Sequence, residues 1–199
     1  MNYPPTIKNL IECYKKLPGI GEKTAERLAL SVLSMEEKVV DLFSTSLIDS
    51  KTKIKKCQIC NHLTENDKCD ICLDTTRIKE ILCVVEDPKN VISFEKIGTF
   101  KGKYHVLNGL ISPLDGISPE DINVNLLLDR IEKEGIKELI FALRPSIEGE
   151  TTILYITKIL TGSSVDITKI AHGIPMGADM EYVDLMTLET ALDNRTQVS

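Results

Sequence analysis

The chain has 199 residues, of which 42% are hydrophobic and 27% charged, so it can form one full domain with small appendages. No apolar run reaches the roughly 18 residues that a membrane-spanning helix needs, and we expect no membrane contact. The net charge of -6 excludes a generally basic chain, but residues 1–56 carry ten Lys and Arg against seven acidic residues, and residues 175–199 carry one Arg against five acidic residues. A polyanionic partner is therefore expected to bind the amino-terminal part.

The amino-terminal segment, residues 5–50, is predicted to be helical. Apolar residues recur at helical spacing over residues 7–17, again over 25–32, and again from about residue 35. A Pro-Gly-Ile-Gly sequence interrupts the pattern after the first of these stretches. The spacing therefore predicts three helices, with a tight turn between the first two.

This turn and the residues around it resemble the helix–hairpin–helix motif of DNA-binding proteins. Gly19 and Gly21 allow a tight turn whose backbone comes close to a ligand, and the turn opens a helix whose free N–H groups bind phosphate. Ile20 is expected to pack into the core, while Lys23 and Arg27, one helical turn apart, are expected to reach phosphates of one strand. The alternative is an ordinary helical corner with solvated basic side chains.

Four cysteines form two pairs, each with two residues between its members, and eight residues separate the pairs. The four are Cys57, Cys60, Cys69 and Cys72. This spacing predicts a closed, structural Zn²⁺ site with one ion per chain, because a catalytic zinc keeps one position open. The alternatives are two disulfides or four unrelated thiols, but the chain shows no signal-peptide pattern at its start, and we expect a reducing cytoplasm. The other two cysteines, Cys13 and Cys83, lie in apolar patterns and are predicted to be buried.

Strands and helices are predicted to alternate in the second half of the chain. Apolar runs predict strands at 81–85, 104–107, 138–143 and 165–171, and helical spacing predicts helices at 119–134 and 151–160. Such alternation is typical of a parallel sheet covered by helices.

An acidic residue, Glu86, directly follows the first of these strands, where parallel sheets bind ligands. This part of the chain resembles Toprim, the fold of topoisomerases and primases, whose active members hold Mg²⁺ with such a glutamate and a later Asp-x-Asp pair. No Asp-x-Asp follows the strand at 138–143, and only Glu148 and Glu150 come next. The resemblance therefore implies a weak or absent Mg²⁺ site. We expect Glu86, Asp87, Glu148 and Glu150 to contact a partner protein, the alternatives for Glu86 being a solvated strand end or a helix cap.

The order of these motifs resembles the RecR family of bacterial recombination mediators nearly from end to end. The most specific stretches are residues 17–28, the four cysteines, 104–117, 148–152 and 171–184. The resemblance implies a multidomain α/β fold. Its parts are a helix–hairpin–helix region at 1–53, a four-cysteine zinc hairpin at 54–76, a Toprim domain at 77–173 and a helical C-terminal segment at 174–199.

The resemblance also implies function and partners. RecR-like chains form ring-like homotetramers in the bacterial cytoplasm, near the nucleoid, bind DNA without sequence specificity, and act with RecO and RecF. They help to load RecA onto gapped or single-stranded DNA, and the resemblance implies that the basic residues of the hairpin face DNA and that the Toprim acids help to contact RecO. Two positions depart from the family pattern. Arg144 stands where the family usually has Asn, and we expect it to pair with Glu86 or Glu148 and to weaken metal binding further. Leu185 stands where the family usually has an acid, and we expect it to shift a partner contact.

Two other functions stay open on the sequence. One is a Mg²⁺-dependent Toprim nuclease or primase-like enzyme, and the other is a protein-interaction module without DNA binding. His172 is also open, since it can be a structural residue, a metal ligand or a phosphate contact.

Overall fold

A computed structural model describes residues 3–171 and 173–195 of the chain. The helices are α1 (Pro5–Lys15), α2 (Glu22–Val32), α3 (Glu37–Lys53), α4 (Asp70–Leu73), α5 (Pro88–Ile97), α6 (Val124–Glu134), α7 (Ile147–Ile159) and α8 (Leu185–Asp193). The strands are β1 (Lys55–Lys56), β2 (Leu63–Thr64), β3 (Ile81–Val85), β4 (Lys103–Val106), β5 (Glu138–Ala142) and β6 (Asp166–Lys169). The chain divides into two units, one ending at Ile54 and one beginning at Lys55. The predicted mixed α/β architecture is confirmed.

The first unit has its own small core between α1 and α2. Ile7 and Ile11 of α1 pack against Ala25 and Ala29 of α2, and both alanines are fully buried. The small alanine side chains let the two helices approach closely, so the turn between them is held on both sides. None of the described side chains of α3 is buried within the chain.

The second unit contains a four-stranded, fully parallel sheet with the strand order β4-β3-β5-β6. Val85, the last residue of β3, lies opposite Val106 of β4 and Ala142 of β5. The segments that follow β3 and β5 therefore start side by side at the carboxyl edge of the sheet. A separate antiparallel pair, β1 and β2, joins Lys56 to Leu63 in the cysteine-rich segment.

The continuous apolar sequence of β3 is explained by burial on both faces of the sheet. Leu82 and Val84 belong to a core with Leu127 of α6 and Ile156 of α7. The intervening Cys83 and the last residue, Val85, belong to a second core with Val91 of α5. Successive side chains of a strand point to opposite faces, so one strand contributes to both cores. Burial raises the pKa of the Cys83 thiol to about 12, which agrees with a packing role.

Three predictions from spacing need correction. Helix α6 begins at Val124 rather than at residue 119, because the amide and hydroxyl of Ser118 bond the Asp121 carboxylate and form a turn. Helix α7 begins at Ile147 rather than at residue 151, because the Ser146 hydroxyl accepts the Gly149 amide as an N-cap. Cys13 is exposed rather than buried.

No helix in the described ranges, 3–171 and 173–195, combines the length and the apolar character needed to cross a membrane.

His105 of β4 makes the sheet sensitive to acid. The side chain is fully buried, its Nε2–H donates to the Asn123 carbonyl at 3.1 Å, and burial lowers its pKa to about 4. The pKa of His105 is lower in the folded state than in the unfolded state, so protons bind the unfolded state preferentially. The contribution of the neutral, buried imidazole to stability is therefore complete above the unfolded pKa and is lost as the pH falls towards 4. Between about pH 7.5 and about pH 5.5, we expect His105 to cost the protein about 1 kcal/mol of unfolding free energy.

Urea unfolding of the wild type and of His105→Phe at both pH values checks this expectation. The Phe variant should lose about 1 kcal/mol less on acidification. Equal losses in the two proteins would contradict it.

Candidate DNA-binding turn, metal centre and acidic edge

The turn between α1 and α2 is closed by backbone geometry. The Ile20 amide donates to the Leu17 carbonyl at 3.2 Å, and Gly19 has a φ of 80°, which L-residues with side chains rarely adopt. Ile20 is half-buried and packs against the core between α1 and α2. Gly21 is extended and forms the N-cap of α2. The hairpin is therefore fixed, and its backbone is accessible.

The start of α2 presents unpaired backbone donors. The Gly21 carbonyl accepts the Ala25 amide at 2.9 Å, but no side chain caps the helix, and within the described chain the amides of Glu22, Lys23 and Thr24 have no acceptor. Free amides at a helix N-terminus carry partial positive charge and are suited to bind an anion such as phosphate.

The basic side chains around the turn divide into neutralised and free ones. Lys15 bonds Glu12 at 2.9 Å and Glu22 at 3.1 Å, and these hydrogen bonds raise the pKa of Lys15. Lys23 and Arg27 are exposed and form no ion pair with any described residue. The two predicted DNA contacts are thus positive charges that remain available beside the free amides, and the exposed Lys16 at the C-cap of α1 also forms no ion pair with a described residue.

The structure brings the four cysteines together in one buried group. Their Sγ atoms all lie within 4.8 Å of one another, with Cys60 and Cys69 at 3.4 Å, and each side chain is at most 9% exposed. Hydrogen bonds from Cys60 and Cys72 lower the pKa of the Cys69 thiol, whereas the hydrogen bond to Cys69 raises the pKa of Cys60, so within the metal-free cluster Cys69 is the favoured thiolate. Four buried sulfurs with no other metal-binding side chain in the group fit a structural zinc. When bound, Zn²⁺ would hold the two cysteine pairs together through four sulfur bonds.

Two local turns explain why each pair has two intervening residues. In the first, the Cys57 amide donates to the His62 carbonyl at 2.7 Å, and the Asn61 amide donates to the Cys57 carbonyl at 2.9 Å. In the second, Cys69 is the N-cap of α4, and the Cys72 amide donates to the Cys69 carbonyl at 3.0 Å. Each turn directs both of its sulfurs towards the same point.

At the carboxyl edge of the sheet, an ion pair joins the ends of two neighbouring strands. Glu86 follows β3, Arg144 lies just beyond β5, and Nη2 of Arg144 lies 3.0 Å from Oε1 of Glu86. Chain connections leave β3 and β5 in opposite directions here, which is where open parallel sheets form a crevice for ligands. A cavity of about 300 Å³ is lined by this pair together with Ser112, Asp115 and Glu148.

The other predicted acids also have partners inside the chain. Asp87 caps α5 by accepting the Lys89 amide at 2.7 Å, and Glu150 pairs with Lys169 at 3.0 Å. A hydrogen bond to Ser146 lowers the pKa of Glu148, which remains ionised at neutral pH. The acidic edge is therefore formed by carboxylates that already have partners within the chain.

This arrangement does not fit a Toprim magnesium site. Within the ranges that the structure describes, the cysteines are the only group of three or more metal-binding side chains that lie close enough to share an ion. Arg144 occupies the side of Glu86 that faces the neighbouring strand end. Mg²⁺ needs several oxygen ligands in near-octahedral geometry, and a guanidinium among them is repulsive.

Asp115 was not found by reasoning from the sequence. It accepts the Ser112 hydroxyl at 2.7 Å and lines the same cavity as Glu86. From its Pro and Gly content alone, the segment 110–119 is either a binding loop or a rigid connection of the sheet, and this was the available signal. His172 lies outside the described residues.

Comparisons with known proteins agree with this arrangement. Sequence models of four families match in order: the RecR helix-hairpin-helix at residues 7–50, the RecR four-cysteine zinc finger domain at 54–74, the Toprim domain at 80–171 and the RecR C-terminal region at 173–196. The chain is 48% identical over 198 residues to Recombination protein RecR of Staphylococcus haemolyticus, with all of both chains covered. It is 48% identical over 197 residues to Recombination protein RecR of Natranaerobius thermophilus, with 99% of each covered.

The fold and its sites thus define a recombination protein that combines a helix–hairpin–helix, a four-cysteine zinc finger and a Toprim domain. An identity of 48% over the full length of both chains shows membership of the same family. The chain belongs to the RecR family.

Proposed function

We propose that this chain is a non-catalytic mediator of recombinational DNA repair that binds DNA through the α1–α2 turn and acts with RecO and RecF to load RecA on gapped or single-stranded DNA. The observation that carries the proposal is the start of α2, where three unpaired amides lie beside the free charges of Lys23 and Arg27. Such contacts bind the phosphate backbone and do not read sequence. They suit a protein that must act on damaged DNA of any sequence. The proposed place of action is the cytoplasm, at the nucleoid.

The assignment of domains follows the same proposal. The DNA-binding region is residues 1–53, the zinc finger with one structural Zn²⁺ is 54–76, the Toprim domain is 77–173 and the C-terminal segment is 174–199. Gly19, Ile20 and Gly21 form the turn, and Lys23 and Arg27 flank the bound phosphates.

Assembly into a homotetrameric ring would strengthen this DNA binding. A single hairpin on a chain of net charge -6 binds DNA weakly, but several hairpins on one duplex multiply their affinities. Exposed apolar side chains on two helices support self-association. They are Val39, Leu42, Phe43, Leu47 and Ile48 of α3, and Leu185, Met186 and Leu192 of α8.

The acidic edge is proposed as the docking surface for RecO, through Glu86, Asp87, Glu148 and Glu150. Their charge supports contact with a basic partner surface, but Arg144 and Lys169 already bind two of them. A partner cation must therefore displace an internal one. The Arg144 departure from the family pattern is expected to make docking weaker than it is with asparagine at this position.

The test is a RecA-loading assay on gapped DNA coated by single-strand-binding protein, with RecO and RecF present. We expect Glu86→Gln to slow loading while binding of DNA by the purified chain stays unchanged, because Glu86 is not part of the DNA-binding turn. Glu80→Gln is the matched control, since Glu80 is an exposed acid just before the same strand.

Equal loading by all three proteins would contradict the docking role of Glu86. If the wild type cleaves or synthesises DNA with Mg²⁺ and Glu86→Gln does not, the chain is a Toprim enzyme and the assignment as a non-catalytic mediator is wrong.

A further inference from the structure

The cysteine-rich segment covers one edge of the Toprim sheet. Strand β4 is one of the two edge strands of the sheet, and the Leu107 amide donates back to the Val85 carbonyl of β3, so Val106 points its backbone groups outward. The Val106 amide donates to the Cys60 carbonyl at 2.9 Å, and the Asn61 side-chain amide donates to the Val106 carbonyl at 3.0 Å. Both outward groups of this residue are satisfied by the first cysteine turn.

Asn61 is held in an unusual conformation to make this contact. Its φ is 63°, in the left-handed region that residues with side chains seldom adopt, and the residue is only 7% exposed. Its own amide bonds the Cys57 carbonyl, so its conformation depends on the turn that carries Cys57 and Cys60. A metal ion that closes this turn also aims the Asn61 side chain at β4.

Lys103, at the start of β4, makes the corresponding contact with the second cysteine pair. It is 7% exposed, and its Nζ donates to the carbonyl of Cys72 at 2.9 Å. Lys103 forms no ion pair with a described carboxylate. Four thiolates on one Zn²⁺ leave a net negative charge, and a buried ammonium beside them lowers the cost of burying it.

A shared apolar side chain completes the connection. Ile71, between Cys69 and Cys72, packs both against the cysteine cluster and against the sheet core that contains Val106. The metal centre and the strand therefore meet through two polar contacts and one apolar one.

We propose that Asn61 and Lys103 are positioning residues that couple zinc binding to the order of β4, so that the metal centre is a cap on the edge of the Toprim sheet. When the metal leaves, the two cysteine turns loosen, the outward groups of Val106 lose their partners, and the edge strand opens. An open edge strand is also prone to pair with other chains. Conversely, loss of either contact weakens the hold on the metal.

The test uses the full-length, zinc-loaded protein with two readouts, namely zinc release to a chromogenic chelator and hydrogen exchange of backbone amides at 103–107. Asn61→Gly removes the side-chain donor but tolerates the positive φ, and Lys103→Met removes the charge but keeps the apolar stem. Each variant should release zinc about tenfold faster and exchange faster at 103–107, as substitutions of residues that support metal ligands do. In the wild type, stripping the metal should raise exchange at 103–107 as well.

Matched controls come from the same segment. Asn66→Gly and Lys68→Met change exposed residues of the loop before Cys69 and should behave as wild type. Lys103→Arg should restore slow zinc release, because it returns the buried cation. Wild-type release rates in both Asn61→Gly and Lys103→Met would overturn the proposal, and so would a strand β4 that stays protected in the metal-free wild type.

Discussion

A chain carrying Lys23→Ala and Arg27→Ala should lose most of its DNA affinity at moderate salt. Each phosphate contact that a basic side chain makes releases counterions, so the slope of log K against log salt should become shallower by about two for every hairpin engaged on the DNA. If several hairpins of a ring bind one molecule, the losses multiply and exceed those of any other pair of surface substitutions. Fluorescence anisotropy with a labelled duplex, titrated across salt concentrations, measures both quantities.

The matched control is Lys8→Ala with Lys38→Ala. Both lysines are exposed and lie in the same unit, but neither belongs to the α1–α2 turn. Their substitution removes the same net charge as the hairpin pair. If the control weakens binding as much as the hairpin pair does, DNA is attracted by the general charge of the unit. If neither pair changes the salt slope, the α1–α2 turn is not the DNA-binding site.

A third variant separates the backbone from the side chains. Gly21 has a φ of -84°, and a Cβ built on it meets no atom within 4 Å, so Gly21→Ala should fold with a cost under about 1 kcal/mol for a poorer N-cap. Its methyl group would stand where a phosphate approaches the free amides. We therefore expect weaker DNA binding at nearly unchanged stability.

Local spacing predicted those features that are closed over a few residues. The glycines predicted the tight turn in which Gly19 has a positive φ, and the two Cys-x-x-Cys pairs predicted a common cluster, because both depend on backbone turns of three or four residues. The continuous apolar run at 81–85 likewise predicted a strand buried on both faces. In each case the same residues determine the local geometry and the contact that follows from it.

Features that depend on distant residues were not predictable in the same way. The hydrogen bond from the Asn61 side chain to the Val106 carbonyl joins residues 45 positions apart, and no periodicity in the sequence links Asn61 to β4. Asp115 enters the acidic cavity only because its loop folds back over the strand ends. Cys13 fits an apolar pattern in sequence but lies on the outer face of α1, since the core is formed by Ile7 and Ile11.

Removal of the metal is expected to have the largest effect on stability. Cys57→Ser removes one of four sulfurs from a group that is at most 9% exposed, and the segment around it has little other regular structure than the two-residue strands β1 and β2 and the four-residue α4. Zinc binding by four-ligand zinc-finger peptides supplies roughly 10 kcal/mol at neutral pH. That amount is comparable to the whole stability of an ordinary domain, so the cysteine segment should not stay folded without its ion.

The measurement is hydrogen exchange along the chain, together with zinc content by elemental analysis. The wild type should contain one zinc per chain, and Cys57→Ser, or the wild type with a strong chelator, should lose both the metal and the protection of residues 55–74. Residues 5–32 should keep their protection, because α1 and α2 have a separate core. Cys13→Ser is the matched control, since it replaces an exposed thiol outside the cluster and should change neither metal content nor exchange. A metal-free wild type that remains protected at 55–74 would mean that the cysteines pack as ordinary buried side chains, and the zinc assignment would fall with the cap on β4 that depends on it.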